Sequence, residues 1–217
     1  LANTSNKSTP LLVLGCQRSG TTLLAAMLGR HSEINMLFES TTKDVLKLMG
    51  KTYSGNKLLA WRQIRMNQRA SKFGHLQNRI ANVDFFKAGT KHHHARPHPT
   101  SSLSINDYIN LGAKLITIVR DKDEVINSIT SRTTMSETQA EKEYRLAMKM
   151  ITELEHKAYQ LDFYNLVHHP KHTLSNLCTF LNLQFEERML KGAEYNIVYP
   201  QAEIKVNKAK RLTDSKK

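Results

Sequence analysis

The sequence predicts an α/β fold, a parallel β-sheet flanked by helices on both faces. Leu11-Leu12-Val13-Leu14 and Leu115-Ile116-Thr117-Ile118-Val119 are short continuous apolar runs, the mark of strands buried on both sides. Each run leads into a segment with helical spacing, and strands alternating with helices make a parallel sheet the economical architecture. A chain of 217 residues, 40% of them hydrophobic, is long enough to bury a substantial core in one domain. That domain is expected over residues 10–200, with a flexible polar segment at 1–9 and a basic tail at 201–217.

Pro10 and Gly15 bound the first strand. Apolar residues at 23, 24, 27 and 28 predict a helix over Thr21 to Arg30, and Ile34 to Phe38 reads as a second short strand. Residues 41–82 read as mainly helical, interrupted near Tyr53-Ser54-Gly55-Asn56, and Val83 to Phe86 as a weaker strand. Leu115 to Val119 is the strongest strand of the chain, being rich in β-branched residues. A helix with Val125, Ile126 and Ile129 inward should follow it. Apolar positions 144, 147, 148, 151, 154 and 158 predict a long amphipathic helix over Glu141 to Gln160. Leu161 to Val167 is a further strand candidate. Pro170 then opens a helix that turns Leu174, Leu177, Cys178 and Leu181 inward, since proline suits a first helical turn.

Thirty-two Lys and Arg against 19 Asp and Glu give a net charge of +13, a field that favours anionic partners. Cys16 and Cys178 are too few for a disulfide framework and read as small buried residues. No apolar run reaches the roughly 20 residues that span a bilayer, so no membrane span is expected in this chain. The first residue is Leu rather than Met, which leaves an upstream signal or anchor possible in principle. A cytoplasmic location is the expectation, or a Golgi or secretory lumen if such an anchor has been removed.

Gly15-Cys16-Gln17-Arg18-Ser19-Gly20-Thr21-Thr22 joins the first strand to the first helix. Its glycines have the spacing of G-x-x-x-x-G-K-[ST], with Thr21 in place of the lysine. Such a turn points backbone N–H groups at one spot, and the helix dipole adds positive charge there, so phosphate is the natural occupant. A nucleoside triphosphatase needs that lysine on its terminal phosphates. Here the cation sits inside the loop, as Arg18.

A second anion site is expected beyond the strongest strand. Arg120 closes that strand, and Ser128 and Arg132 follow one turn apart on one helix face. Two guanidinium groups and a hydroxyl can converge there on one phosphate, which the planar fork of Arg binds bidentately. A surface pairing of Arg120 with Asp121 or Glu124 is the plainer alternative.

Cys-Gln-Arg-Ser-Gly-Thr-Thr-Leu-Leu resembles the 5′-phosphosulfate loop of sulfotransferases that use 3′-phosphoadenosine 5′-phosphosulfate (PAPS). Ile-Val-Arg-Asp…Asn-Ser is similar to their 3′-phosphate motif. Leu166-Val167-His168-His169-Pro170, running into Leu174…Leu177-Cys178…Phe180-Leu181, is similar to their late strand–helix segment. The three matches keep the family's order from residue 11 to about 190, and the first looks most like tyrosylprotein sulfotransferases and related bacterial enzymes. Two departures stand out. The family's mid-chain lysine, often within Gly-Asp-Lys, is found only as Gly89-Thr90-Lys91, out of register, and Asn165 takes the acidic position after the family's late Tyr, here Tyr164.

The resemblance implies a P-loop-containing, sulfotransferase-like fold and transfer of a sulfuryl group from PAPS to an acceptor hydroxyl or amine, releasing adenosine 3′,5′-bisphosphate (PAP). Ser19, Gly20, Thr21 and Thr22 would hold the 5′-phosphate through their amides and the two Thr hydroxyls. Arg18 would neutralise charge on the bridging oxygen, with Lys91 as a second cation. Arg120, Ser128 and Arg132 would clamp the 3′-phosphate. Glu39 matches the position of a proposed general base, and would otherwise be a first-turn carboxylate of the next helix. His31 and His75 are rival bases; His31 could equally cap the end of its helix. No metal is required. Lys91-His92-His93-His94 with His98 reads as a solvated acceptor-side loop rather than a metal site, because consecutive histidines in extended chain point different ways.

The principal alternative is a P-loop nucleotide or small-molecule kinase, against which the missing lysine and the Arg120 clamp both argue. A nucleic-acid-binding module would need aromatics interleaved with the basic residues, and they do not cluster so, which disfavours nucleic acid as a substrate. A catalytically silent protein of the same fold is a third. An acidic peptide or a polysaccharide fits the positive charge as acceptor, without the sequence choosing between them.

Overall fold

The computed structural model describes residues 8–38, 45, 48, 50–60 and 105–193. Five strands, β1 (Thr9–Gly15), β2 (Ile34–Phe38), β3 (Tyr53–Leu59), β4 (Lys114–Val119) and β5 (Ala158–Asp162), form one sheet in the order β2-β3-β1-β4-β5. Every pairing is parallel, so all the carboxyl ends open on one edge. The helices are α1 (Thr21–Leu28), α2 (Ile105–Asn110), α3 (Lys122–Thr130), α4 (Glu137–Glu153), α5 (Phe163–His168) and α6 (Pro170–Phe180), and a 3-10 segment covers Glu187–Ala193.

The alternation of side chains along β1 divides the core. Leu11 and Val13 pack with Leu24, Leu28, Leu166, Leu174 and Leu177 from α1, α5 and α6. Leu12 and Leu14 face the other way, against Tyr108, Val125, Ile129, Ala147 and Met150 from α2, α3 and α4. All four β1 leucine and valine side chains are fully buried, each contributing about 2 kcal/mol of apolar burial. A central strand covered on both sides explains why its sequence runs apolar without alternation.

Three expectations need correction. Tyr53-Ser54-Gly55-Asn56 is not a break between helices but the start of β3, an interior strand lying between β1 and β2. It contains no β-branched residue, and sheet context overrides that weak propensity. Gly55 sits where a Cβ would come 2.1 Å from Met36 Sδ on β2, so the gap in the side-chain row admits that neighbour. The strand sought at Leu161 to Val167 is displaced: β5 ends at Asp162, whose carboxylate accepts from the Asn165 N–H (3.0 Å) and starts α5. The long helix α4 begins at Glu137 because Ser136 and Gln139 form a reciprocal capping box, and it ends at Glu153. The 41–82 helical reading beyond residue 60, the Val83 to Phe86 strand and the tail lie outside the described residues.

Candidate cofactor and active site

The strand order reverses about β1: the chain leaves it toward β2 and β3, then returns on the far side at β4. The crevice at the carboxyl ends of β1 and β4 is therefore the place where an open parallel sheet binds its ligand. Register puts Gly15 of β1 beside Ile118 of β4, so the glycine loop and Arg120 leave the sheet as neighbours.

The loop is a tight turn held by its own polar groups. The Ser19 N–H and hydroxyl both donate to the Cys16 carbonyl (3.2 and 2.7 Å). Arg18 takes the left-handed conformation (φ 68°), as does Gly20 (φ 98°), the N-cap of α1. A Cβ on Gly15 would lie 2.6 Å from Ser19 Oγ and 2.9 Å from the Ile118 carbonyl, so the loop folds back against β4 only because that position is bare. The Ser19 amide is spent inside the turn. The amides that open α1, those of Thr21, Thr22 and Leu23, have no intrahelical acceptor and carry the dipole's positive end. Thr21 is buried and Thr22 half-buried there.

The second predicted group gathers at the same place. Arg18 Nε donates to Ser128 Oγ on α3 (3.2 Å), and Arg120 Nη1 donates to the Arg18 carbonyl (3.1 Å). The loop and the clamp are thus bonded to each other through both arginines. Arg120 Nε also donates to the Glu124 carboxylate (2.7 Å), the surface pairing the sequence allowed, and its guanidinium stacks on Phe163 at 4.3 Å from the ring centroid. Arg132 lies close enough to Arg120 that surrounding protein, and then the Arg120 charge, hold its guanidinium below its ordinary value. Like charges that feel each other in this way are relieved by an anion bound beside them. The Gly15 and Gly20 cradle, the helix opening and this pair fit a nucleotide with two separated phosphates.

Further residues enter that the sequence did not single out. Gln17 Nε2 donates to Glu143 Oε2 on α4 (2.6 Å). Burial, reinforced by the Glu143 charge, pushes the Cys16 thiol up to about 12, so Cys16 is packing rather than a nucleophile. Lys57, in register with Val13 and Phe38, is only 3% exposed on β3. Gly55-Asn56-Lys57 differs by one residue from Gly-Asp-Lys, and that triplet was the available signal. Phe163 has no signal of its own: Val119 of β4 pairs with Asp162 of β5, which brings Arg120 and Phe163 out of the sheet side by side. Tyr164 points away, 58% exposed, with its ring 4.0 Å from that of His168.

Glu39, Lys91, His75 and the His92–His94 and His98 segment lie outside the described residues. His31 is described, and it sits at the far end of α1 from the loop. It is buried, with Nε2 donating to the Gln184 carbonyl (2.8 Å) and Nδ1 accepting from the Glu33 N–H (3.0 Å). Both ring nitrogens are occupied, one tying the end of α1 to the segment that follows α6 and the other closing the local turn, so the rival-base reading of His31 gives way to a structural one. Among the described residues no group of three or more His, Cys, Asp or Glu side chains could hold a metal, and no helix is long and apolar enough to cross a membrane.

Residues 10–108 match the model of the sulfotransferase family. That stretch contains the loop and β3 and stops before the Arg120 clamp. No curated protein matches the chain significantly. The sulfotransferase domain from the Synechococcus PCC 7002 olefin synthase superposes with a TM-score of 0.51 at 20% identity, covering 96% of this chain and 94% of its own. The sulfotransferase domain from the curacin biosynthetic pathway gives 0.51 at 18% identity, over 90% of this chain and 82% of that one. A mouse sulfotransferase complexed with PAP gives 0.51 at 12% identity, over 93% of this chain and 69% of that one. At these identities the structural likeness speaks for the fold, while the family model speaks for the sequence. The chain thus has the fold of these sulfotransferases, and the sulfotransferase family model matches its residues 10–108, somewhat less than half of its length.

Proposed function

We propose that this protein is a sulfotransferase that moves a sulfuryl group from PAPS to the hydroxyl or amine of an acceptor, with an anionic peptide or saccharide as the class that suits its charge. The observation that carries the reading is the bonded link between two anion sites, Arg120 Nη1 to the Arg18 carbonyl at the β1–β4 crevice. A nucleotide with phosphates on both its 5′ and 3′ oxygens matches such a pair of sites. The kinase reading has no support from the family match.

When bound, PAPS supplies an activated sulfuryl group: its S–O bond to the 5′-phosphate breaks as the acceptor's bond to sulfur forms, and PAP leaves. The amides opening α1 and the hydroxyls of Thr21 and Thr22 hold the 5′-phosphate. Arg18 stands in the same loop to neutralise charge growing on the leaving phosphate oxygen, where a preorganised cation acts on the transition state. Arg120, Ser128 and Arg132 hold the 3′-phosphate. Lys57 is the second cation in this reading, and Lys91, first assigned that role, lies outside the described residues. It is buried on the β1-adjacent strand, on the α1 side of the sheet with Tyr53 and Gly55. Glu39, which follows β2 directly, receives the acceptor proton.

The test is PAP release from PAPS in the presence of acidic peptides, sulfatable polysaccharides and simple phenols, with transfer read on the acceptor. Acceptor-dependent release without added metal supports the reading. Magnesium-dependent ATP consumption with no use of PAPS overturns it.

A further inference from the structure

Arg120 is a long, flexible side chain, and freezing its rotamers costs conformational entropy. A phosphate clamp works only if that cost is met before the ligand arrives. Among the described residues, three contacts hold Arg120. Glu124 accepts from Nε, but its carboxylate side chain is 57% exposed, so water and salt weaken the pair. The Arg18 carbonyl accepts from Nη1 and belongs to the loop itself. The third contact is the face of Phe163.

The three differ in what they leave available. Among the described residues, the two hydrogen bonds use two of the five guanidinium N–H donors. A cation over a ring face need spend none, because the attraction is between the charge and the ring quadrupole rather than an N–H bond to a lone pair. Phe163 can fix the orientation of Arg120 without competing with phosphate for it.

The same ring touches the other phosphate site. A Cβ on Gly20 would lie 2.3 Å from Phe163 Cδ2 and 2.7 Å from Cε2, so the ring edge rests directly on the N-cap of α1. Phe163 is in turn fixed from below. Asp162 caps α5, the Thr173 hydroxyl donates to the Asn165 carbonyl (2.9 Å), and Leu166 is fully buried in the core.

We propose that Phe163 is a positioning residue for nucleotide recognition: its face orients Arg120 and its edge seats Gly20, so that one side chain sets the spacing of the two phosphate sites. This rests on the reading that the crevice binds a 3′,5′-bisphosphate nucleotide. Arg120 does the binding, and Phe163 acts through it.

The test is calorimetric binding of PAP and of adenosine 5′-monophosphate, which lacks the 3′-phosphate, to the wild type and to Phe163→Leu and Phe163→Tyr. Leu keeps apolar bulk against Gly20 and removes the π-face; Tyr keeps both. Phe163→Leu should weaken PAP roughly three- to thirtyfold, the range of a partly desolvated cation–π contact, and leave the monophosphate within about twofold. Phe163→Tyr should bind both as the wild type does. In turnover, the KM for PAPS should rise in Phe163→Leu with kcat nearly unchanged. Phe163→Met carries the same expectation if the Leu variant does not fold. Undiminished PAP affinity in the Leu or Met variant overturns the proposal, as does an equal loss for both nucleotides, which would mean general damage to the loop. A wild type that does not prefer PAP to the monophosphate overturns the bisphosphate reading itself, and the proposal with it, before any variant is compared.

Discussion

Replacing Gly20 with alanine separates two costs that the structure superimposes at one residue. Gly20 has φ 98°, a conformation that costs an L-residue about 1–2 kcal/mol. Its added Cβ would also meet the Phe163 ring at 2.3 Å and Ile118 Cδ1 at 3.3 Å. The ring is held between Gly20 and Arg120 and cannot retreat freely, so overpacking adds about 1–3 kcal/mol. Together Gly20→Ala should cost about 2–5 kcal/mol, a fall in Tm of about 4–20 °C for a domain of this size. Gly112 supplies the control. It too has positive φ (75°), but a Cβ there would meet nothing within 4 Å, so Gly112→Ala should cost only the conformational part. Urea unfolding of both variants gives the difference, which is the contact between loop and ring. If Gly20→Ala is no more destabilising than Gly112→Ala, the ring does not bear on the loop as argued.

Other outcomes follow from the same geometry. Lys57→Met should lower the rate of sulfuryl transfer about a hundredfold or more while PAP affinity falls much less, because the cation acts on charge that develops during the reaction; a full rate in Lys57→Met, with loss in Lys91→Ala, would return the role to Lys91. His31→Ala should cost about 2–4 kcal/mol in urea unfolding by stranding the Gln184 carbonyl and the Glu33 N–H. Turnover of the folded His31→Ala variant should be unchanged, because the eight residues of α1 set His31 about 12 Å from the loop. Glu186 is held down to about 2, first by Arg188 and then by Ser32 and His31. A carboxylate depressed in the folded state stabilises above its unfolded value near 4.5 and loses that contribution as pH falls toward 2. The wild type should therefore lose stability more steeply than Glu186→Gln between those limits in urea titrations at stepped pH.

What the sequence showed and what it hid divide along one physical line. β1, β2 and β4 were legible because their signal is local: an apolar run with a bounding turn. The meeting of the loop with Arg120 and Ser128 was legible because each lies on consecutive or helix-spaced residues. β3 was not, since Tyr53-Ser54-Gly55-Asn56-Lys57 is polar and unbranched, and only its place between two strands makes it a strand. Lys57 was lost with it. Phe163 emerges only from the β4–β5 register, and the adjacent Tyr164, the more conspicuous residue in the sequence, is turned to solvent. The α5 boundary was missed because a capping aspartate, Asp162, was read as part of a strand.

The central claim is that the β1–β4 crevice is built for a nucleotide carrying separate 5′ and 3′ phosphates. Titration calorimetry of PAP against magnesium–ATP, on the wild type and on Arg120→Ala, tests it most directly. The account predicts metal-independent preference for PAP in the wild type. It predicts a loss of about tenfold or more in Arg120→Ala, the scale of a charge-assisted phosphate contact. Tight magnesium–ATP binding with indifference to PAP, or a PAP affinity unmoved by Arg120→Ala, would contradict it.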